Sequence, residues 1–390
     1  MIPFSVLCRY SDGVPAFESI EISAFRGLPH LTLTNCGKVN LLVGRNNSGK
    51  TSVLEALALL TRPDDLEWWI DTVWSREVKS ARTPEREVIK HMFPHRGSGN
   101  PDDLFEGSVF LRARTSDSAA RTVIAHILER KVATRDLDYY KTSRADGGGV
   151  LLTFKGDEDH TTLAANVSVR IAECWVDSIP DTGSTSMRGI WHQFTENGAL
   201  PYPSVSKKDH IPSAYVTTVA HRTENLTDKL SNALAEERRA SILSLLQSIQ
   251  PTITNFEILT RPNQGAQVWL KDEKTGWMPI STAGDGLRRA LHFAAAAATA
   301  KGGVLLIDEI ESALHRDTLR KIFGHLLRES KELDVQIFAT THSLEALDAV
   351  LAEATDESPL VVYNLSPAGA HRTPLSRLRT IREEHGLDIR

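Results

Sequence analysis

The chain has 390 residues, 41% of them hydrophobic and 24% charged, with a formal net charge of −5. That length exceeds one typical domain, so two lobes or one domain with a large insertion are expected, and the acidic balance argues against general polyanion binding. No stretch approaches the roughly 18 apolar residues of a membrane span, the N-terminus lacks the basic start and apolar core of a signal peptide, and Cys8, Cys36 and Cys174 have neither metal-ligand spacing nor an even count, so reduced thiols in a cytoplasmic protein are expected.

Residues 17–25 and 31–33 alternate in strand fashion, and 39–43 form an apolar run suited to a buried strand. A glycine-bearing loop follows, and the apolar and alanine residues of 51–60 suit a buried helix, so 1–60 reads as the first part of a head. Residues 61–106 are charged and Trp-containing and predict a helical insertion. Trp68, Trp69 and Trp74 within it read first as core packing, with an exposed docking surface as the alternative. Strands at 109–113, 122–129, 150–154 and 165–172 make 107–176 an antiparallel β-lobe. The Ser, Gly, Pro and Thr content of 177–210 predicts a flexible linker. One long helix is expected over 224–249, ending before Pro251. Strands at 252–259 and 267–270 lead to the turn Ala283-Gly284-Asp285-Gly286 and an alanine-rich helix over 287–300. Strand and helix then alternate at 304–307, 318–330, 335–339, 344–354 and 360–365, the pattern of a parallel sheet covered by helices. Residues 211–355 therefore complete the head, with a last strand and a tail in 356–390. The class is α/β.

Three segments carry chemistry. Gly44, Arg45, Asn46, Asn47, Ser48, Gly49, Lys50 and Thr51 fit G-x-x-x-x-G-K-[ST] at every fixed position, between a strand and a helix. Glycines let successive backbone N–H groups turn inward to phosphate oxygens, and the helix adds its positive end. Lys50 is expected on the β- and γ-phosphates of ATP, and the Thr51 hydroxyl on Mg²⁺. The run Val304-Leu305-Leu306-Ile307 delivers Asp308 and Glu309 to the edge of a buried strand, Asp308 as a metal ligand and Glu309 as general base. A third run, Ile337-Phe338-Ala339, delivers His342 to the same edge, one helix later, where it can meet the γ-phosphate or the attacking water.

These elements, in this order, resemble the ABC-type ATPases, specifically the SMC/RecF-like and OLD-like (overcoming lysogenization defect) branch. Phe25-Arg26-Gly27-Leu28 and the run from Val39 through the phosphate loop, Ser52 and Glu55 to Leu57 look like that branch's N-terminus. The resemblance implies a P-loop ABC-type head with a β-lobe, nucleotide contacts from Gly44 to Ser52, and a homodimer in which the signature loop of one subunit caps ATP held by the other. Thr282-Ala283-Gly284-Asp285-Gly286 sits where that loop belongs, with Gly284 and Asp285 as candidate contacts. The family's serine is Ala283 here, so Ser281, Thr282 or backbone N–H groups are left to take its place. Ser312-Ala313-Leu314-His315 falls where the loop crossing the dimer interface is expected. A glutamine loop cannot be placed, Gln193 being only a guess.

Two functions are expected from this resemblance. One is an ATP-gated sensor or regulatory subunit in prokaryotic defence. The TOPRIM nuclease of OLD-like relatives has no room in the 48 residues after His342, so a separate effector protein, nuclease or toxin, is implied. The alternative is a RecF-like DNA-repair or chromosome-maintenance ATPase that binds DNA directly. Neither involves a membrane.

Overall fold

The computed structural model describes residues 15–74, 76, 85–94, 104–115, 120–133, 168–179, 188–195, 198–199, 210–261, 265–355 and 358–381. In chain order the strands are β1 (Ser19–Phe25), β2 (Leu28–Thr34), β3 (Val39–Val43), β4 (Glu106–Arg114), β5 (Ala120–Ala133), β6 (Ser168–Ile179), β7 (Arg188–Thr195), β8 (Gly198–Ala199), β9 (Ser213–Val216), β10 (Ile253–Arg261), β11 (Gly265–Asp272), β12 (Gly276–Pro279), β13 (Val304–Ile307), β14 (Gln336–Thr341), β15 (Leu360–Ser366) and β16 (Gly369–Pro374). The helices are α1 (Lys50–Thr61), α2 (Leu66–Trp74), α3 (Glu85–Lys90), α4 (Ala220–Thr223), α5 (Leu226–Ala235), α6 (Arg239–Ile249), α7 (Asp285–Thr299), α8 (Arg316–Glu332), α9 (Leu344–Glu353) and α10 (Leu375–Arg379).

The centre is a six-stranded sheet in the order β16-β15-β3-β14-β13-β9, parallel except for the edge strand β16. Its strands alternate between two cores. Val39, Leu41, Val43, Leu305 and Ile307 face one apolar cluster, with α5 to α9 and the small antiparallel sheet β10-β11-β12. Leu42, Val304, Leu306 and Phe338 face the other, with α1, α2 and the lobe. Burial on both faces is why these strands read as unbroken apolar runs rather than alternating ones. The lobe is the antiparallel sheet β2-β1-β4-β5-β6-β7-β8. Together these make an α/β fold with a parallel core and an antiparallel lobe.

Four expectations change. Residues 177–210, read as a linker, contain β7 in register with β6, and β8 beyond it. The polar stretch around 180–187 masked the short run Ile190-Trp191, and Gln193 lies on β7 in the lobe, not beside the parallel sheet. The long helix over 224–249 is two helices. Glu237 takes a left-handed φ of 56° between them, and the neighbouring Arg238 ion-pairs with Glu329 and Glu332 of α8 at 2.6 and 2.5 Å. Both halves pack against α7, and α6 also meets β10 and α8. The C-terminal segment holds a β15–β16 hairpin and α10, more than one strand. The strand expected at 150–154 and the tail beyond residue 381 lie outside the described residues. Of the tryptophans, Trp69 is fully buried, and the Trp68 indole donates to the Ala58 carbonyl of α1 at 2.9 Å, so the insertion packs its aromatic side inward.

His325 of α8 is 1% exposed, and neither ring nitrogen has a hydrogen-bond partner among the described residues. Burial pushes its pKa down to about 4; the Glu329 carboxylate opposes the shift, and Arg328 and Arg238 reinforce it. The unfolded chain therefore takes up a proton that the folded chain refuses. Stability should fall as pH drops from about 6.5 to about 4, by on the order of 3 kcal/mol from this group. Melting curves at several pH values should show His325→Leu losing less stability on acidification than the parent. Parallel curves would remove His325 as the cause.

Candidate functional site

The phosphate loop runs from the end of β3 into α1. Gly44 packs so closely that a Cβ there would lie 2.6 Å from the Leu365 carbonyl and 2.7 Å from Ser48 Oγ. Gly49 takes a φ of 90°, and a Cβ on it would strike Leu28 at 2.4 Å, so both fixed glycines are sterically required. Asn47 also adopts a left-handed φ, of 64°, a conformation that asparagine tolerates better than most residues. Ser48 N–H donates to the Arg45 carbonyl at 3.2 Å and tightens the turn through Asn46.

Lys50 opens α1, and its ammonium donates to the carbonyls of Gly44 and Arg45 at 2.8 and 2.9 Å. Burial holds its pKa below the ordinary lysine value, while Asp308, Glu309 and Glu311 act in the opposite direction. Thr51 Oγ1 donates to both oxygens of Asp308, at 3.1 and 3.2 Å. This contact spans 257 positions of sequence and joins the phosphate loop to the end of β13.

A second hydroxyl meets the same carboxylate. Thr340, fully buried on β14, donates to Asp308 Oδ1 at 2.6 Å and accepts the backbone N–H of Glu309 at 2.7 Å. Glu309 itself has a φ of 43°, in the left-handed region. Its carbonyl accepts from Arg289 Nη2 at 3.0 Å and from the Ser312 N–H at 2.9 Å. The peptide units on both sides of Glu309 are therefore anchored, which offsets the cost of that backbone and aims the side chain. Replacing Thr340 by valine keeps the shape and removes both bonds. The expected loss is about 1–3 kcal/mol in urea denaturation. A stability equal to the parent's would show that the two bonds add nothing to the fold.

Arg289 is 1% exposed, and its other terminal nitrogen donates to the Thr218 carbonyl at 2.7 Å. Burial pushes its pKa down to about 10, against the pull of Glu311, Glu309 and Asp308. The charge stays, and it ties α7 to the acidic edge of the sheet. His342 is 49% exposed at the end of β14, where its N–H and Nδ1 both meet Glu311 Oε1, at 2.9 and 3.1 Å.

Sequence reasoning gave no role to Thr340 or Arg289, nor to Glu55, which it named only within the N-terminal motif. That carboxylate, fully buried on α1, is paired with Arg26 and Arg76, both at 2.6 Å, and Arg76 Nη2 donates to Ser52 Oγ at 3.0 Å. Burial raises the Glu55 pKa, and the two guanidinium groups oppose it. A charged residue four positions after Thr51, inside an apolar helix, was the available signal.

The structure brings Lys50, Thr51, Asp308 and Glu309 to one edge of the parallel sheet, since β3, β14 and β13 run side by side in register. Gly284 and Asp285 instead open α7. Their neighbours are Arg222, with Asp285 Oδ2, Arg288 at 3.5 Å and His221 at 3.7 Å, rather than groups of the phosphate loop. His315 caps α8, its ring accepting the Asp317 N–H at 3.5 Å. Among the described residues, no three His, Cys, Asp or Glu side chains converge as a metal site, and no helix is long and apolar enough to cross a membrane.

Residues 113–348 match the family described as "AAA domain, putative AbiEii toxin, Type IV TA system". The chain belongs to this AAA-domain family. A second AAA ATPase domain family matches residues 17–117, across the phosphate loop. This AAA-domain chain is similar to an ATP/GTP phosphatase of Helicobacter pylori, 24% identical over 86% of this chain and 88% of that protein. It is also similar to an uncharacterized protein of Methanocaldococcus jannaschii, 32% identical over 27% of this chain and 98% of that one. Among solved structures it is similar to an Smc head bound to the C-terminal winged-helix domain of ScpA, with 13% identity, a TM-score of 0.44, and 92% and 97% of the two chains covered. A Pyrococcus furiosus Smc head with an extended coiled coil, bound to the C-terminal domain of ScpA, gives 14% identity, a TM-score of 0.45, and coverage of 96% and 100%.

Proposed function

We propose that this AAA-domain chain hydrolyses ATP with Mg²⁺, and that two copies pair around the nucleotide. One observation carries the hydrolytic part of this reading: Thr51 of the phosphate loop and Thr340 of β14 share the Asp308 carboxylate, and Thr340 also holds the Glu309 amide. Hard oxygen donors from Thr51 and Asp308 fit Mg²⁺, which commonly takes one or two protein oxygens and completes its shell with phosphates and water. When bound, the cation would neutralise charge developing on the phosphate oxygens.

The chain's own groups then divide the work. The loop N–H groups from Arg45 to Ser52 and the Lys50 ammonium hold the phosphates. Glu309, aimed by Thr340 and Arg289, takes a proton from the attacking water. His342, steadied by Glu311, reaches toward the terminal phosphate. The loop at Gly284 and Asp285 of the other copy closes the site.

The physiological role proposed is that of an ATP-gated sensor or regulatory subunit of the OLD-like branch, acting with a separate nuclease or toxin in prokaryotic defence. The matched family's description as a putative AbiEii toxin of a type IV toxin–antitoxin system supports a setting of this kind, though not the separate effector itself. Light scattering of Glu309→Gln with and without Mg·ATP, alone and with short duplex DNA, tests it. Nucleotide-dependent pairing without DNA uptake is the expected result. Salt-sensitive DNA binding that appears with ATP would favour a RecF-like role, and no change of mass would overturn the paired state.

A further inference from the structure

We propose that Thr340 is a positioning residue that selects the cation, holding Asp308 to one free oxygen and so favouring Mg²⁺ over the larger Ca²⁺. The assignment rests on the Mg·ATP reading above and adds a specificity determinant to it.

Chemistry fixes the polarity of the relay. A backbone N–H can only donate and an ionised carboxylate can only accept. The Thr340 hydroxyl therefore takes the Glu309 N–H on its oxygen at 2.7 Å and gives its single proton to Asp308 Oδ1 at 2.6 Å. Thr340 is fully buried, so solvent cannot stand in for either partner. Its carbonyl also accepts the Ile310 N–H at 3.0 Å, and the Asp308 N–H donates to the Val216 carbonyl at 2.9 Å. The carboxylate is thus pinned at its backbone and at one oxygen.

The two oxygens of Asp308 are left unequal. Oδ1 holds the Thr340 proton and also lies 3.1 Å from Thr51 Oγ1, whereas Oδ2 meets only Thr51 Oγ1 among the described residues, at 3.2 Å. A cation between Thr51 and Asp308 would meet Oδ2. A bidentate grip would require Oδ1 to give up its shortest hydrogen bond.

That requirement weighs differently on the two cations. Among the described residues no three His, Cys, Asp or Glu side chains converge, so the site offers few protein oxygens. Mg²⁺ suits such a site, because it is small and octahedral and fills its shell with water and phosphate oxygens. Ca²⁺ takes about six to eight oxygens and commonly grips a carboxylate through both of its own. The cost of freeing Oδ1 therefore falls on Ca²⁺.

Nucleotide affinities in the two cations read this out without any turnover. Calorimetric titration with a non-hydrolysable ATP analogue, in saturating Mg²⁺ or saturating Ca²⁺, gives two Kd values for each protein. Each is measured at a temperature where circular dichroism shows the protein folded. The parent should bind the Mg²⁺ complex more tightly. Thr340→Val should narrow that preference by about tenfold, mainly through a gain of affinity in Ca²⁺. Thr340→Ala removes the same hydroxyl with less bulk and should follow it, and Thr340→Ser should restore the parental ratio. Lost packing alone would weaken both complexes alike and leave the ratio where it was. An unchanged ratio in Thr340→Val or Thr340→Ala, a Thr340→Ser ratio equal to that of Thr340→Val, or a parent without preference between the cations would overturn this assignment alone. A parent whose affinity ignores divalent cations altogether would overturn the Mg²⁺ reading and this assignment with it.

Discussion

Lys50→Ala is expected to weaken nucleotide binding on the order of a thousandfold, as two charge-assisted phosphate contacts of about 1.5–3 kcal/mol each are lost. The ammonium bridges the Gly44 and Arg45 carbonyls, so it stands inside the loop where phosphate oxygens would bind. Its charge is partly stripped of water, as its lowered pKa shows, so it attracts an anion more strongly than a solvated lysine would. Removing it also takes a donor from those two carbonyls, at a cost of about 1–3 kcal/mol to the fold. Calorimetric titration with Mg·ATP at a temperature where the variant is folded should show the lost affinity. A Kd within a few-fold of the parent would take Lys50 out of the phosphate site.

Glu309→Gln is expected to slow hydrolysis about 10²- to 10⁴-fold while binding ATP at least as well as the parent. The amide preserves the size of the side chain, and the anchors that set its direction are backbone bonds to Thr340, Arg289 and Ser312, all untouched. What disappears is the ability to accept a proton, together with one negative charge beside the phosphates. Single-turnover kinetics isolate the chemical step, and a normal rate there would mean that another group activates the water. If Glu309 is the base, the variant should also hold its pairs longest in the presence of Mg·ATP.

Much of this site was legible in the amino-acid sequence, for a physical reason. A parallel sheet buried on both faces demands continuous apolar strands, and its ligand edge demands polar residues where those strands stop. Val304 to Ile307 followed by Asp308-Glu309, and Ile337 to Ala339 followed by Thr340 and His342, display both demands openly. Thr340 stayed hidden because its role depends on register: β13 and β14 pair Ile307 with Ala339, which brings the next residues, Asp308 and Thr340, to one level. Arg289 was hidden by composition, since an arginine in the first turns of an alanine-rich helix reads as solvated until the fold closes over it. The break at Glu237 escaped for the opposite reason. Local propensity favours an unbroken helix there, and only the competing pull of Glu329 and Glu332 on Arg238 argues for ending it.

The position of β3 in the sheet has a bearing on how the protein is made. The strand leading into the phosphate loop is paired on one side with β14 and on the other with β15, both about 300 residues later in the chain. At common rates of synthesis its partners emerge from the ribosome roughly 15 to 60 s after it does. During that interval the nascent chain carries an unpaired apolar strand and the alanine- and leucine-rich face of α1, and β1 and β2 are the first partners available to shelter them. The phosphate loop therefore gains its flanking strands only once β14 and β15 have been made, and a chain released before β15 lacks one wall of the cradle around Gly44.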